Sequence, residues 1–217
     1  MKTALCVAAM MAVFGGGSAV AADIITAPAY NWTGFYLGGQ AQLDFMHFNE
    51  VTPFNLNSST NIGGGLSAQY LYQSKSLVFG VVADGNLLTG DTTAGCLVGG
   101  PNLQCQVGSR WNGSLRAKGG FAADRFLVYG TAGWGWAETH VNITSITPAG
   151  SQSDSHVLNG WVAGAGISFA LTDKWTTSLE YLHYDLNSAQ ETQFVAYGTG
   201  HTHPTSDTVT VGLSYKF

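Results

Sequence analysis

The chain has 217 residues, a length that suits one barrel or sandwich domain. Only 10% of its residues are charged, whereas a soluble domain typically carries about 25%, so an ordinary charged surface facing water is not expected. The formal net charge of −5 and the scattered lysines and arginines argue against a nucleic-acid partner. The only continuous apolar run lies at the N-terminus, which excludes a bundle of membrane-spanning helices.

The N-terminal segment has the three parts of an export signal. Lys2 supplies the positive end, residues 4–14 are apolar, and residues 19–21 are the small residues of a cleavage site. A membrane anchor would need about 20 apolar residues, more than this segment contains. We therefore predict a signal peptide over residues 1–22 and a single mature domain over residues 23–217.

From residue 32 onward, side chains alternate with the period of a β-strand. In residues 35–45 one face is apolar or small and the other carries glutamine and aspartate, and residues 208–217 repeat the pattern. Six similar segments lie between them, at residues 62–72, 77–87, 110–121, 126–137, 158–171 and 175–185. Tilted strands of about 10 to 12 residues cross a bilayer. The pattern predicts an all-β fold, an eight-stranded antiparallel up-and-down transmembrane β-barrel.

The connections alternate between short and long. The short, polar ones are residues 73–76, 122–125 and 172–174, and the long ones are residues 46–61, 88–109, 138–157 and 187–206. Outer-membrane barrels have tight periplasmic turns and larger external loops. We therefore expect a multi-pass protein of the cell outer membrane with both termini on the periplasmic side.

The charges within the predicted strands share one face, which decides the class of barrel. They are Asp44, Asp84, Arg116, Lys118, Glu180 and Lys216. A soluble barrel would place its apolar face inside, but six charges would cover a water-exposed surface only sparsely. We therefore expect lipid against the uncharged face and a salt-bridged plug of these charges inside, where buried charges must be paired. Val82 and Leu182 are apolar exceptions on the charged face. A narrow pore lined by the same charges is the alternative.

Aromatic side chains cluster where the two membrane interfaces are expected. The predicted belts contain Trp32, Phe35 and Trp175 at the periplasmic end, and Trp111, Trp134, Trp136 and Trp161 at the external end. Such rings suit the headgroup level because one end is apolar and the other polar. Carbohydrate stacking is the alternative use of an exposed tryptophan.

Cys96 and Cys105 are the two cysteines of the predicted mature chain. An even pair in an exported protein predicts one disulfide, with two free thiols as the alternative. Neither cysteine has a close cysteine or histidine partner in the sequence, so a metal site is not expected there.

Histidines at two places in the sequence could take part in catalysis or metal binding. His183 and Asp185 lie near the predicted outer rim, but two residues on one strand face do not establish a catalytic triad. His201 and His203 share a long loop without a closely flanking carboxylate. We expect no catalytic residues, no bound metal and no cofactor.

Residues 31–38, with the sequence Asn-Trp-Thr-Gly-Phe-Tyr-Leu-Gly, resemble the start of the small outer-membrane "porin-family" surface proteins of alphaproteobacteria. Later strands of that family are similar to residues 113–117, 127–133, 180–185 and 211–217. The resemblance implies an OmpA-like barrel in a Gram-negative outer membrane. It also implies that Phe217 is the terminal aromatic residue read by the barrel-assembly machinery during biogenesis.

These observations together indicate a structural outer-membrane protein that contributes to envelope integrity and displays surface loops. Its expected partners are outer-membrane lipid and lipopolysaccharide. One alternative is a narrow porin for small solutes. The other is a binding protein whose loops hold haem, a host molecule or lipopolysaccharide, although no host or environmental ligand is indicated by the loop sequences.

Overall fold

The computed structural model describes residues 30–49, 59–95, 103–145, 152–187 and 203–217. The predicted signal peptide, Cys96 and the side chain of Cys105 lie outside this description, as does His201 with the side chain of His203. The signal peptide and the disulfide therefore stay predictions.

Within the described residues, nine strand segments form one antiparallel sheet. They are β1 (Gly34–Asn49), β2 (Ser59–Ser74), β3 (Leu77–Thr89), β4 (Asp91–Gly95), β5 (Leu103–Ala123), β6 (Phe126–Ser145), β7 (Gln152–Ala170), β8 (Trp175–Leu186) and β9 (His203–Lys216). Apart from β3 and β4, consecutive strands pair with each other, β1 pairs with β9, and β3 pairs with β5. Because β3 and β4 both pair with β5 and are separated only by Gly90, they are two segments of one wall strand. The fold is therefore the predicted closed, eight-stranded antiparallel β-barrel.

The strands are longer than the sequence predicted. Apart from β4 they contain 12 to 21 residues, and the extra residues come from the regions interpreted as long loops. The β5–β6 ladder, for example, continues as far as Leu103 and Ser145. The sequence alternates again at Leu103, Cys105 and Val107, but the register shift between Ser109 and Asn112 breaks the phase of the pattern, so the extension was not recognised as part of the same strand.

Apolar and polar side chains are divided between the two faces of the barrel wall as predicted. The outward face carries large apolar side chains, including Leu66 at 74% exposure and Leu87 at 72%. The inward face buries polar groups such as Gln42 and Asn112. Val82 and Leu182 point inward with the polar face, which confirms their position as apolar exceptions.

Short turns gather at one end of the barrel, which we call the turn end; the opposite end is the loop end. β2 and β3 are joined through Lys75, which has a φ of 57°, and β5 and β6 through Asp124, with a φ of 51°. Within the described residues, no helix is long and apolar enough to cross a membrane.

Glycines on the inner wall make room for large side chains in the lumen. A Cβ atom added to Gly135 would lie 2.8 Å from the ring of Tyr184, and one added to Gly166 would lie 2.6 Å from the hydroxyl of Tyr129. Both rings are buried. Since neither ring has solvent to move into, these two glycines are part of the packing of the lumen.

We expect Gly135→Ala to lower the free energy of unfolding by about 1–3 kcal/mol, because the added methyl group overpacks the lumen against Tyr184. The measurement is the temperature at which the folded, unboiled band converts to the unfolded band on a detergent gel. Gly85→Ala is the matched control, since a Cβ there meets no atom within 4 Å. Equal conversion temperatures for the two variants would contradict this packing role.

Candidate functional site

The centre of the lumen is organised around one guanidinium group. Arg116 on β5 donates from Nη2 to Oδ1 of Asp84 on β3 at 2.8 Å, and from Nη1 to Oε1 of Glu180 on β8 at 2.9 Å. The Arg116 and Asp84 side chains are only 2% and 1% exposed. Because β6 and β7 separate β5 from β8 in the sheet, this pair of ion pairs crosses the lumen.

A serine completes the coordination of the central ion pairs. The Ser114 hydroxyl donates to Oδ1 of Asp84 at 2.6 Å and accepts from Nε of Arg116 at 2.8 Å. Buried carboxylates and guanidinium groups need this dense bonding, because desolvation of an unpaired charge costs several kcal/mol or more. The three charges of this set were predicted from the sequence, whereas the role of Ser114 was missed, although the strand pattern places Ser114 on the same face.

Lys118 and Asp44 belong to the lumen but not to the ion pairs, which corrects the expectation of a plug made of salt bridges throughout. Within the described residues, Nζ of Lys118 contacts Oε1 of Gln69 at 3.2 Å and lies 3.6 Å from the centre of the Tyr129 ring. A cation over an aromatic face is stabilised by the ring's quadrupole. The charge of Lys118 is therefore accommodated without a contacting carboxylate.

Asp44 is held by uncharged donors nearer the loop end. Its carboxylate accepts hydrogen bonds from the hydroxyls of Ser206 at 2.6 Å and Thr208 at 3.2 Å, and from the amide of Asn61 at 3.3 Å. Register explains the contacts, since Asp44 is directly opposite Asn61 on β2 and Thr208 on β9. Three neutral donors replace the cation that a simple charge-pairing argument predicts.

Amide side chains form a further layer near Asp84. The Nδ2 atom of Asn86 donates to Asn112 at 3.0 Å and contacts Asp84 at 3.4 Å, while Gln40 donates to Asn86 at 2.7 Å and Gln42 to Asn112 at 3.3 Å. These bonds connect β1, β3 and β5 across the lumen. Hydrogen-bonded side chains from three strands therefore extend into this part of the lumen.

A largely aromatic cluster, which we call the stopper, lies at the turn end. We define it as the buried apolar cluster of Tyr30, Trp32, Tyr36, Leu71, Val78, Leu127, Tyr129 and Ala170. The residues before β1 fold across this end of the barrel, where the backbone N–H of Trp32 donates to Oε1 of Gln73 at 2.7 Å. Desolvation by burial raises the pKa of the Tyr30 phenol above its ordinary value, so the ring stays neutral at physiological pH.

Trp32 was predicted to lie in an aromatic belt, and this prediction is wrong. Its side chain is 1% exposed and belongs to the stopper. Strand alternation does not apply to Trp32, because the residue precedes β1 and its backbone turns across the barrel mouth. Lys216 also lies at this mouth, where Nζ donates to the carbonyl of Asn31 and lies 5.0 Å from the centre of the Tyr30 ring.

The other aromatic residues predicted for the belts face outward. Phe35 and Trp175 are exposed near the turn end, as is the terminal Phe217, whereas Trp134, Trp136 and Trp161 are exposed farther along their strands. Trp111 is half-buried beside a register shift between Ser109 and Asn112. The role of Phe217 as an assembly signal stays a prediction.

His183 has a different partner from the one considered in the sequence. Its Nδ1 atom lies 2.7 Å from Oδ1 of Asp207 on β9, a residue that sequence reasoning missed because the two belong to different strands. Both side chains lie on the outward face. Among the described residues there is no group of three or more histidine, cysteine or acidic side chains that could hold a metal ion.

Residues 7–217 match the family model described as "Outer membrane protein beta-barrel domain". The chain belongs to this family. It is 30% identical to the 31 kDa outer-membrane immunogenic protein of Brucella melitensis, with 97% of each chain covered. It is 29% identical to the 22 kDa outer membrane protein of Rhizobium leguminosarum, over 88% of this chain and 80% of the relative.

Among solved structures, the barrel is similar to Ail, the attachment invasion locus protein of Yersinia pestis. The TM-score is 0.53 at 16% identity, and the match covers 85% of this chain and 99% of Ail. At this identity the likeness concerns the fold alone. Family membership and fold together place the protein in the outer membrane, as the strand pattern predicted.

We expect Arg116→Met to destabilise this family member by about 3–5 kcal/mol, because the substitution leaves two buried carboxylates without their cation. The measurement is urea-induced unfolding in phospholipid vesicles, followed by tryptophan fluorescence. The control combines Arg116→Met with Asp84→Asn and Glu180→Gln, which removes the uncompensated charge and should recover most of the loss. If Arg116→Met alone were as stable as the unsubstituted protein, the ion pairs would not contribute to the stability of the barrel.

Proposed function

We propose that the protein is a structural barrel whose lumen is closed and whose loop end displays surface loops. The observation that carries the proposal is the bridge from Asp84 through Arg116 to Glu180 across the lumen. A solute crossing the barrel would have to displace this bridge and leave buried charges unpaired, at a cost of several kcal/mol.

The stopper adds a second closure. It is built from aromatic and aliphatic side chains at the turn end, and its Tyr129 adjoins the central charges through the contact with Lys118. The two closures differ in chemistry and in position along the barrel axis. This arrangement favours an envelope-stabilising role over transport.

The orientation in the membrane follows from the same proposal. Residues 30–33, which precede β1, lie at the turn end with Phe217 and the short turns, as the hydrogen bond from the backbone N–H of Phe217 to the carbonyl of Phe35 illustrates. Short turns are typical of the periplasmic side, so both termini are proposed to be periplasmic. The loop end then faces outward, and the immunogenic relatives bear names that suit such exposure.

Contact with outer-membrane lipid and lipopolysaccharide is part of the proposed role. The largely apolar outward face of the barrel supports contact with lipid. The loop end, which the proposed orientation places in the outer leaflet, supports contact with lipopolysaccharide. Phe217 is proposed as the residue that the barrel-assembly machinery recognises.

Planar-bilayer recordings test the closed lumen. We expect no discrete openings from the refolded protein, from Trp32→Ala or from Arg116→Ala, because each single variant retains one closure. The combined variant weakens both closures and should show cation-selective openings, since Asp84 and Glu180 then line the path. Folding of each variant is verified by its band shift on boiling. Openings in the unsubstituted protein would favour the porin alternative and overturn the proposal.

Surface proteolysis of intact cells tests the orientation. We expect cleavage within residues 50–58 or 188–202, which follow strands at the loop end, and protection of a tag placed after Phe217. Lysed cells provide the control for accessibility of the tag. Cleavage of the tag on intact cells would show that the barrel has the opposite orientation.

A further inference from the structure

A polar cluster interrupts the apolar outward face near the loop end. We call it the outer cluster, and it consists of His47, Tyr181, His183 and Asp207. Oδ1 of Asp207 accepts from the hydroxyl of Tyr181 at 2.6 Å and lies 2.7 Å from Nδ1 of His183. Oδ2 of Asp207 lies 3.6 Å from Nε2 of His47. The cluster thus joins three adjacent strands through one carboxylate.

Strand register fixes the surroundings of the outer cluster. Phe45, Asp207, His183 and Ala163 lie side by side on β1, β9, β8 and β7. The ring centre of Trp161 is 5.6 Å from that of His183. The side chains of His183 and Asp207 are 36% and 30% exposed, so the cluster is accessible from the outward face.

A carboxylate on this face needs an explanation. Ionisable side chains that face lipid are destabilising near the middle of the bilayer and are tolerated toward the interfaces. The outer cluster lies near the loop ends of its three strands, which the proposed orientation places in the outer leaflet at headgroup depth. Molecules in contact with it are therefore lipid headgroups rather than solutes of the lumen.

The chemistry of the outer cluster favours a sugar headgroup. The contact between Nδ1 of His183 and Asp207 orients the imidazole and leaves Nε2 as the nitrogen for another partner, and Oδ2 of Asp207 can accept from a hydroxyl. The flat apolar face of Trp161 suits the C–H face of a sugar ring. The cluster contains no lysine or arginine, so it offers no permanent cation to a headgroup whose main feature is a phosphate.

The surface beside the outer cluster suits an acyl chain. Ala163 and Ala165 on β7 are paired with Ala132 and Gly130 on β6, so four small outward residues lie together. On their other side, Ala163 is paired with His183 and Ala165 with Tyr181. The four small residues therefore form a shallow depression beside the outer cluster. A polar cluster next to a shallow apolar depression matches the headgroup and the acyl chain of an amphiphile.

We propose that the outer cluster and Trp161 bind a sugar of an outer-leaflet glycolipid, with an acyl chain on the small-residue surface of β6 and β7. This inference rests on the proposed orientation, which places the loop end in the outer leaflet. It adds to the proposed function a lipid-binding site on the outside of the barrel, separate from the closed lumen.

The test measures lipid retention by the folded barrel. The full mature chain is loaded in detergent with an equimolar mixture of lipid A, phosphatidylglycerol and phosphatidylethanolamine, washed, and analysed by native mass spectrometry. We expect selective retention of lipid A. Asp207→Ala and His183→Ala should each reduce it roughly tenfold, the loss expected for one hydrogen bond to a charged group. Asp173→Ala, which removes an exposed carboxylate at the turn end, should retain lipid A unchanged.

The remaining outcomes overturn the inference in distinguishable ways. Equal retention of lipid A and phosphatidylglycerol would show nonspecific lipid binding, and selective retention of phosphatidylethanolamine would indicate an ammonium headgroup instead. Unchanged lipid A retention by both cluster variants, with their band shifts intact, would place the lipid elsewhere. Surface proteolysis separates these results from a failure of the proposed orientation, since a correctly oriented barrel without lipid A selectivity contradicts only this inference.

Discussion

The hydrocarbon interior of a membrane offers no hydrogen-bonding partner to a peptide group, and the rest of this fold depends on that constraint. A sheet in such surroundings must have all its strands paired, because an open edge would leave a row of unsatisfied backbone groups. The ladder between β3 and β5 removes that edge. Once the sheet is closed, each strand has one face toward lipid and one toward the lumen, and the alternation of side chains has to follow.

Closure of the sheet also explains why charged side chains of the strands are concentrated in the lumen. An eight-stranded wall leaves an interior that side chains can fill, so polar groups placed there must bond to one another. One guanidinium serves two carboxylates, while Asp44 is bonded by hydroxyls and an amide. Glycines opposite Tyr184 and Tyr129 provide the volume that these contents require. The composition, poor in charge and rich in glycine and aromatic residues, reflects the same arrangement.

Strand existence, face assignment and the set of inward charges could be predicted from the sequence, because each depends on a local period of two. The details that failed depend on residues brought together from distant parts of the chain. Trp32 has the residue type of a belt, but its hydrogen bond to Gln73 at the turn end determines its position. Asp207 could be identified as the partner of His183 only from the register of β8 and β9. The far ends of β5 and β6 were interpreted as loop, because the register shift between Ser109 and Asn112 breaks the phase of the alternation in β5.

The bridge between β3 and β8 has a mechanical consequence for the barrel. A cylinder of hydrogen-bonded strands resists stretching along its wall but deforms easily in cross-section, and lateral pressure from surrounding lipid would tend to flatten it. Arg116 holds one carboxylate on each side of the lumen within 3 Å and so acts as an internal cross-brace. Such a brace keeps the outline of the barrel constant when the bilayer changes in thickness or tension.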